Sequence, residues 1–237
     1  MQEELSRLFL IFVVDMIMAL FFLFLGFSTL LRKRSRLNTT FSLFFISIAL
    51  GLLINAAYAI INGILRSEPI ALFLNYVSGF LIFFGPIFML ATNFMLLHSG
   101  VSYSLESELK LIIGYAVVLG SMAIFYFLGG IRFNESTNWS PDWSLPYFIY
   151  IVIVVSGFAV IPTLYTSAKI LRTMVDKLLR RRWKRLMVSL IGLFTYLYLA
   201  FLSNFLNTSN LNSILSIYAL SVPLWVWLIY KGVKKES

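Results

Sequence analysis

The sequence predicts an all-α integral membrane protein, a bundle of seven transmembrane helices with the N-terminus outside and the C-terminus in the cytoplasm. Three observations carry this prediction. The composition is too apolar for water, seven apolar runs have membrane-spanning length, and the lysines and arginines fall in alternate connections.

Of the 237 residues, 60% are hydrophobic and 12% are charged. A soluble domain is normally about a quarter charged. Half that charge cannot clothe a water-facing surface, so long apolar runs are required. The net charge of +9 does not point to nucleic acid. The basic residues sit in short clusters between apolar runs, which is a topology pattern and not a wet binding face. No cysteine is present, which excludes disulfides, thiolate metal sites and cysteine nucleophiles. With His98 as the single histidine, neither a multi-histidine metal site nor a serine–histidine–aspartate triad is readily built. No metal site, cofactor or catalytic residue is expected.

A span needs ~20 mostly apolar residues at 1.5 Å rise each. Seven segments qualify: 7–31, 39–65, 70–98, 108–130, 146–170, 185–206 and 210–231. Together they make residues 1–237 a single transmembrane domain. The leader Met1-Gln2-Glu3-Glu4 is acidic, and no small-residue cleavage site closes the first run. It reads as a retained helix and not as a signal peptide.

Orientation follows from the basic residues. Sixteen fall on one side: Arg32, Lys33, Arg34 and Arg36 after span 1, Lys110 after span 3, eight between Lys169 and Arg185, and Lys231, Lys234 and Lys235 in the tail. Only Arg7, Arg66 and Arg132 fall on the other. This split places the N-terminus outside, and an even helix count would destroy the alternation. Sequons at Asn134, Asn138 and Asn207 fall on the outer side, where glycosylation could use them, and a fourth at Asn38 falls inside. The expected location is the cell membrane, multi-pass.

The one sizeable outer loop, about 131–146, carries Trp139 and Trp143, with Tyr147 just beyond it. These residues suit an aromatic belt at headgroup level, which is the preferred reading. The sharper reading is a cap over a ligand cavity. The inner segment 169–185 continues a helical pattern beyond the membrane. Its cations would attract anionic membrane lipids at ~1 kcal/mol each, and it is also the candidate docking surface for a protein partner.

Ionisable residues in hydrocarbon are functional candidates by default. Only Asp15 lies deep, and it shares its helix face with Ala19 and Gly26. Span 2 carries a stripe of Ser47, Gly51, Asn55, Tyr58 and Asn62 at spacings of three and four. Span 6 carries Ser189, Gly192, Tyr196, Ser203 and Asn207. Counting depth from each outer end places Asp15 near Asn55, Tyr58, Ser78, Tyr198 and Tyr218, the candidate ligand-binding set. Such a layer is either interhelical glue, at ~0.6 kcal/mol per hydrogen bond, or the lining of a site open to the outside. Pro86, Pro162 and Pro223 lie inside spans 3, 5 and 7, where each can kink its helix.

Known seven-helix families are set aside on their motifs. Leu211–Tyr230 holds no lysine for retinal, no Pro-Gln pair occurs, and span 3 ends in Leu97-His98-Ser99-Gly100 where G-protein-coupled receptors carry Asp-Arg-Tyr. In architecture the chain resembles the seven-helix membrane domains that precede histidine kinases in prokaryotes, although the tail Lys231–Ser237 carries no effector. The expectation is a non-enzymatic membrane sensor, receptor-like protein or accessory subunit, with a small-molecule, lipid or proton site in the outer half. The alternative is a small secondary transporter or channel with Asp15 as coupling acid.

Overall fold

The computed structural model describes residues 10–32, 35–65, 67–98, 103–133 and 140–233. Among them, seven helices are long and apolar enough to cross a membrane, as a multi-pass membrane protein requires. They run Val13–Arg32, Arg36–Ile61, Glu68–Leu97, Leu105–Phe127, Leu145–Thr173, Lys177–Leu206 and Ser213–Gly232, and are numbered here as spans 1 to 7. Spans 2, 5 and 6 extend beyond the expected limits at the end that carries the basic clusters. There the helices continue through charged residues after the apolar run has ended, because a backbone can satisfy itself as helix in either solvent.

Span 1 opens with a π-helical turn, Leu10–Asp15, and continues as α1, Met16–Arg32. Spans 2 and 3 are the unbroken helices α2 (Arg36–Leu65) and α3 (Glu68–Leu97). Span 4 is α4 (Leu105–Gly120) and the short α5 (Ala123–Phe127). A two-residue hairpin of β1 (Ile131–Arg132) and β2 (Asp142–Trp143) follows, antiparallel, with Ile131 opposite Trp143. Span 5 is α6 (Leu145–Val155), a π-helical turn at Ser156–Val160, and α7 (Ile161–Thr173). Span 6 is α8 (Lys177–Leu206), and span 7 draws on α9 (Ser209–Ala219) and α10 (Val222–Val233).

The prolines act in three ways. Pro86 is accommodated within the continuous α3. Pro162 follows a π-helical turn, and Pro223 stands in the first turn of α10, after a break at Leu220–Ser221. Lacking an N–H, proline is tolerated in a first turn, where that donor has no helical acceptor. Span 7 is therefore two helices and not one kinked rod.

The basic segment departs from expectation as well. It is not one continuing helix. Met174 is extended, and Asp176 caps α8 by accepting hydrogen bonds from the backbone N–H groups of Leu178 at 2.7 Å and Leu179 at 3.3 Å. Aspartate is a preferred N-cap because its carboxylate satisfies such orphan donors. The cations of 169–185 thus sit on a helical hairpin.

Close approach of α2 and α3 organises the bundle. A Cβ on Gly51 would lie 2.6 Å from Ile82 Cγ1, and one on Gly85 would lie 2.5 Å from Ile48 Cγ1. The missing side chains let the backbones meet, and small hydroxyls bridge them. Ser78 donates to the Gly51 carbonyl at 2.9 Å and Ser47 to the Leu81 carbonyl at 2.7 Å. Span 1 joins the same way, with Ser42 donating to the Gly26 carbonyl at 2.9 Å. Small residues at helix contacts are how apolar helices associate when lipid is as apolar as they are. The outward faces expose Leu20, Phe73, Val117, Phe127 and Ile153, as a lipid-facing surface would.

Candidate functional site

Asp15 closes the first π-helical turn and is 6% exposed. The Asn55 side-chain amide donates to its carboxylate at 2.9 Å, and the Tyr196 hydroxyl forms a second side-chain hydrogen bond to it. Spans 1, 2 and 6 therefore meet at one carboxylate. Both partners are neutral. The two ion pairs among the described residues, Arg36 with Glu108 and Lys110 with Glu106, lie elsewhere.

Asp15 lines a cavity of ≈ 180 Å³. At the end of the bundle where span 1 begins, the walls carry Asn55, Asn75, Ser78, Tyr126, Trp143 and Asn204. Deeper in, they are apolar: Phe22, Phe44, Ile48, Phe83, Pro86 and Phe194. Along α2 the lining runs from Asn55 to Phe44, eleven residues apart, or ~16 Å of helix. The cavity is polar at one end and greasy at the other, as small-molecule sites typically are.

The hairpin between spans 4 and 5 completes the polar end. Gly129, at φ +71°, takes the left-handed conformation that ends the helical stretch of span 4, which glycine adopts without strain. The Ser144 N–H then donates to the Gly130 carbonyl at 2.8 Å, and the chain folds back. Ile131, Phe133 and Trp143 are buried as a result. Trp143 stands edge-on to Tyr147, with ring centres 4.9 Å apart, and also contacts Phe201. At 6% and 1% exposure, Trp143 and Tyr147 cannot serve as a headgroup belt. Both line the cavity, so the cap reading describes this loop better. The indole N–H of Trp143 is buried and has no hydrogen-bond partner among the described residues. Trp139 lies outside those residues.

Of the expected ligand-binding set, Asp15, Asn55 and Ser78 come together on the cavity wall. The other three do not line it. Tyr58 packs edge-on against Phe133 at 5.6 Å, Tyr198 hydrogen-bonds Ser156, and Tyr218 donates to the Gly192 carbonyl at 3.1 Å. Depth counting placed them at a level but could not choose a face. Tyr196 and Tyr198, two residues apart, point ~200° from each other around one helix. Tyr196, from the polar stripe of span 6, is the one that reaches Asp15. Asn75, which belongs to a polar stripe of span 3, and Tyr126 and Asn204 also line the cavity and stand outside the expected set. Tyr126 donates to Asn75 Oδ1 at 2.8 Å, a link between spans 3 and 4 that neither sequence segment announces alone. Sequon residue Asn207 is exposed, in the left-handed region at φ 44°, whereas Asn134 and Asn138 lie outside the described residues.

Two further polar clusters sit toward the basic end. The two hydrogens of Asn93 Nδ2 are shared among the Thr163 carbonyl at 3.0 Å, Thr166 Oγ1 at 2.9 Å and Ser167 Oγ at 2.8 Å. Thr163 Oγ1 approaches the Pro86 carbonyl at 3.5 Å, and Trp183 Nε1 donates to the Ser167 carbonyl at 2.9 Å. Polar contacts thus lead from Pro86 on the cavity wall, through span 5, to the basic hairpin. In the second cluster, the buried Glu108 carboxylate accepts from Arg36 Nε and, at 2.6 Å, from Thr40 Oγ1. Arg36 also donates to the Tyr103 and Ser104 carbonyls and lies over the Tyr103 ring. Burial, and then the Glu108 charge, hold the Tyr103 hydroxyl above its ordinary pKa against the opposing pull of Arg36.

No group of three or more His, Asp or Glu side chains able to hold a metal occurs among the described residues. Comparison with protein-family models, with curated proteins and with solved structures found no match to this chain.

Proposed function

We propose that this chain is a non-enzymatic cell-membrane protein of sensor, receptor-like or accessory-subunit type. It lies with its N-terminus outside and binds a small molecule in a cavity of its outer half. The reading rests on one observation above others: a buried carboxylate, held by three spans, on the wall of a cavity that is polar at one end and apolar at the other. A carboxylate placed only to tie helices together has no need of an adjoining cavity. The polar contacts from Pro86 to Trp183 support transmission toward the basic hairpin, which in this orientation faces the cytoplasm, anionic lipids and a protein partner.

The test is ligand-dependent thermal stabilisation of the purified protein, repeated in Ile48→Trp, which fills the cavity. Stabilisation that survives both Ile48→Trp and Asp15→Asn would place binding elsewhere. The transporter reading keeps one supporting observation, that Asp15 is bonded by neutral groups and so is free to exchange a proton. It requires solute flux in proteoliposomes that a pH gradient drives and Asp15→Asn abolishes. Absence of such flux with binding intact favours the sensor.

A further inference from the structure

We infer that the cavity is built for an amphiphilic amine, with its ammonium head at Asp15 and its apolar tail lying toward Pro86. This deepens the ligand-binding reading and rests on it.

The charge balance of the site is the first argument. Asp15 is buried, and among the described residues no lysine or arginine is within ion-pair distance. Asn55 and Tyr196 stabilise a carboxylate by hydrogen bonding but leave its charge uncompensated. A buried ion is expensive unless paired. A cationic head supplies the missing partner, whereas a fatty acid would bring a second negative charge to the same place.

The wall chemistry is the second argument. At the polar end that Asp15 shares, it offers side-chain amide and hydroxyl oxygens at Asn75, Ser78 and Tyr126, all acceptors for ammonium N–H groups. The aromatic rings of Tyr126, Trp143 and Tyr147 suit a cation through their π faces. Among the described residues, arginine and lysine, which would greet an anionic head, are missing from the lining.

The third argument concerns what else the ligand carries. Trp143 lines the cavity with its indole N–H buried and unpaired among the described residues. An unsatisfied buried donor is costly, at about 1–3 kcal/mol. A hydroxyl, ether or carbonyl oxygen close to the amine would satisfy it. The apolar stretch past Ile48, Phe83 and Pro86 then takes an alkyl or aryl tail.

The test compares octylamine, octanol and octanoate at equal micellar mole fraction on the full chain in a neutral maltoside detergent, reading binding by thermal shift. Octylamine is expected to bind on the order of tenfold or more tighter than octanol, and octanoate not to bind. Asp15→Asn should remove the amine's advantage over octanol, and Ile48→Trp should remove all binding. If octanol equals octylamine in the wild type and both are lost in Ile48→Trp, the amine assignment is overturned while the cavity reading stands. If no probe responds to Ile48→Trp, the cavity reading itself fails. The wild-type ranking decides the matter should Asp15→Asn not fold.

Discussion

The Arg36 guanidinium reaches across to the buried Glu108 carboxylate and, with its remaining donors, holds the carbonyls of Tyr103 and Ser104. One side chain at the start of span 2 thereby fixes the start of span 4. Arg36→Ala strips Glu108 of its only cation among the described residues and frees two carbonyls. We expect a loss of about 2 kcal/mol, since hydrogen bonds to charged groups run at ~1.5–3 kcal/mol. Lys110→Ala removes only the exposed pair with Glu106 and should cost ~0.3–0.5 kcal/mol. Thermal denaturation of the two variants side by side measures the difference, and equal losses would refute the clamp.

Two glycines, one closely packed and one open, predict opposite outcomes for the same substitution. Gly51→Ala drives a methyl to 2.6 Å from Ile82 Cγ1 and 2.9 Å from backbone atoms of α3. Overpacking of this kind costs ~1–3 kcal/mol. Gly114→Ala meets nothing within 4 Å and lies in a helix interior, so it should be neutral or stabilising by up to ~1 kcal/mol. Midpoints measured in the same detergent check both signs.

Chain orientation is open to a direct measurement, because the protein has no cysteine to remove. Val175 and Asn207 are exposed at opposite ends of span 6. In intact cells a membrane-impermeant maleimide should label Asn207→Cys at once and Val175→Cys only after permeabilisation. The reverse pattern would invert the topology.

Asn93 tests whether the cavity communicates with the basic hairpin. Its amide holds three oxygens of span 5, and Trp183 holds a fourth. We expect Asn93→Leu to preserve octylamine binding yet abolish the ligand-dependent change of an environment-sensitive dye on Val175→Cys. A dye response of undiminished size would mean that coupling, if present, runs elsewhere.

The number of helices and the buried face of span 1 were legible because both depend on local chemistry. Apolar length reports spanning, and the small residues Ala19 and Gly26 report close packing beside Asp15. Helix ends were less legible, since the helix expected to continue through 169–185 is broken at residues 174–176, where Asp176 caps a new one. The site was half legible. The spacing of Asn55 within the span 2 stripe selected the right face, but Tyr198 matched Asp15 in depth while Tyr196 matched it in direction. Contacts such as Tyr126 with Asn75 arise only when spans 3 and 4 are docked. The capping role of Trp143 depends on a hairpin whose pairing spans eleven residues and has no repeat to betray it.

The short link capped by Asp176 has a mechanical consequence. Between Thr173 and Lys177 the chain can stretch to about 14 Å at most. The ends of spans 5 and 6 are therefore tethered to one another. Span 6 has 30 residues, and from Tyr196, at the level of the carboxylate, to Lys177 the arm is ~28 Å long. A tilt of about 5° there would carry the charged tip about 2.5 Å sideways. A displacement of that size, won from a small rotation, is what a docked neighbour would feel.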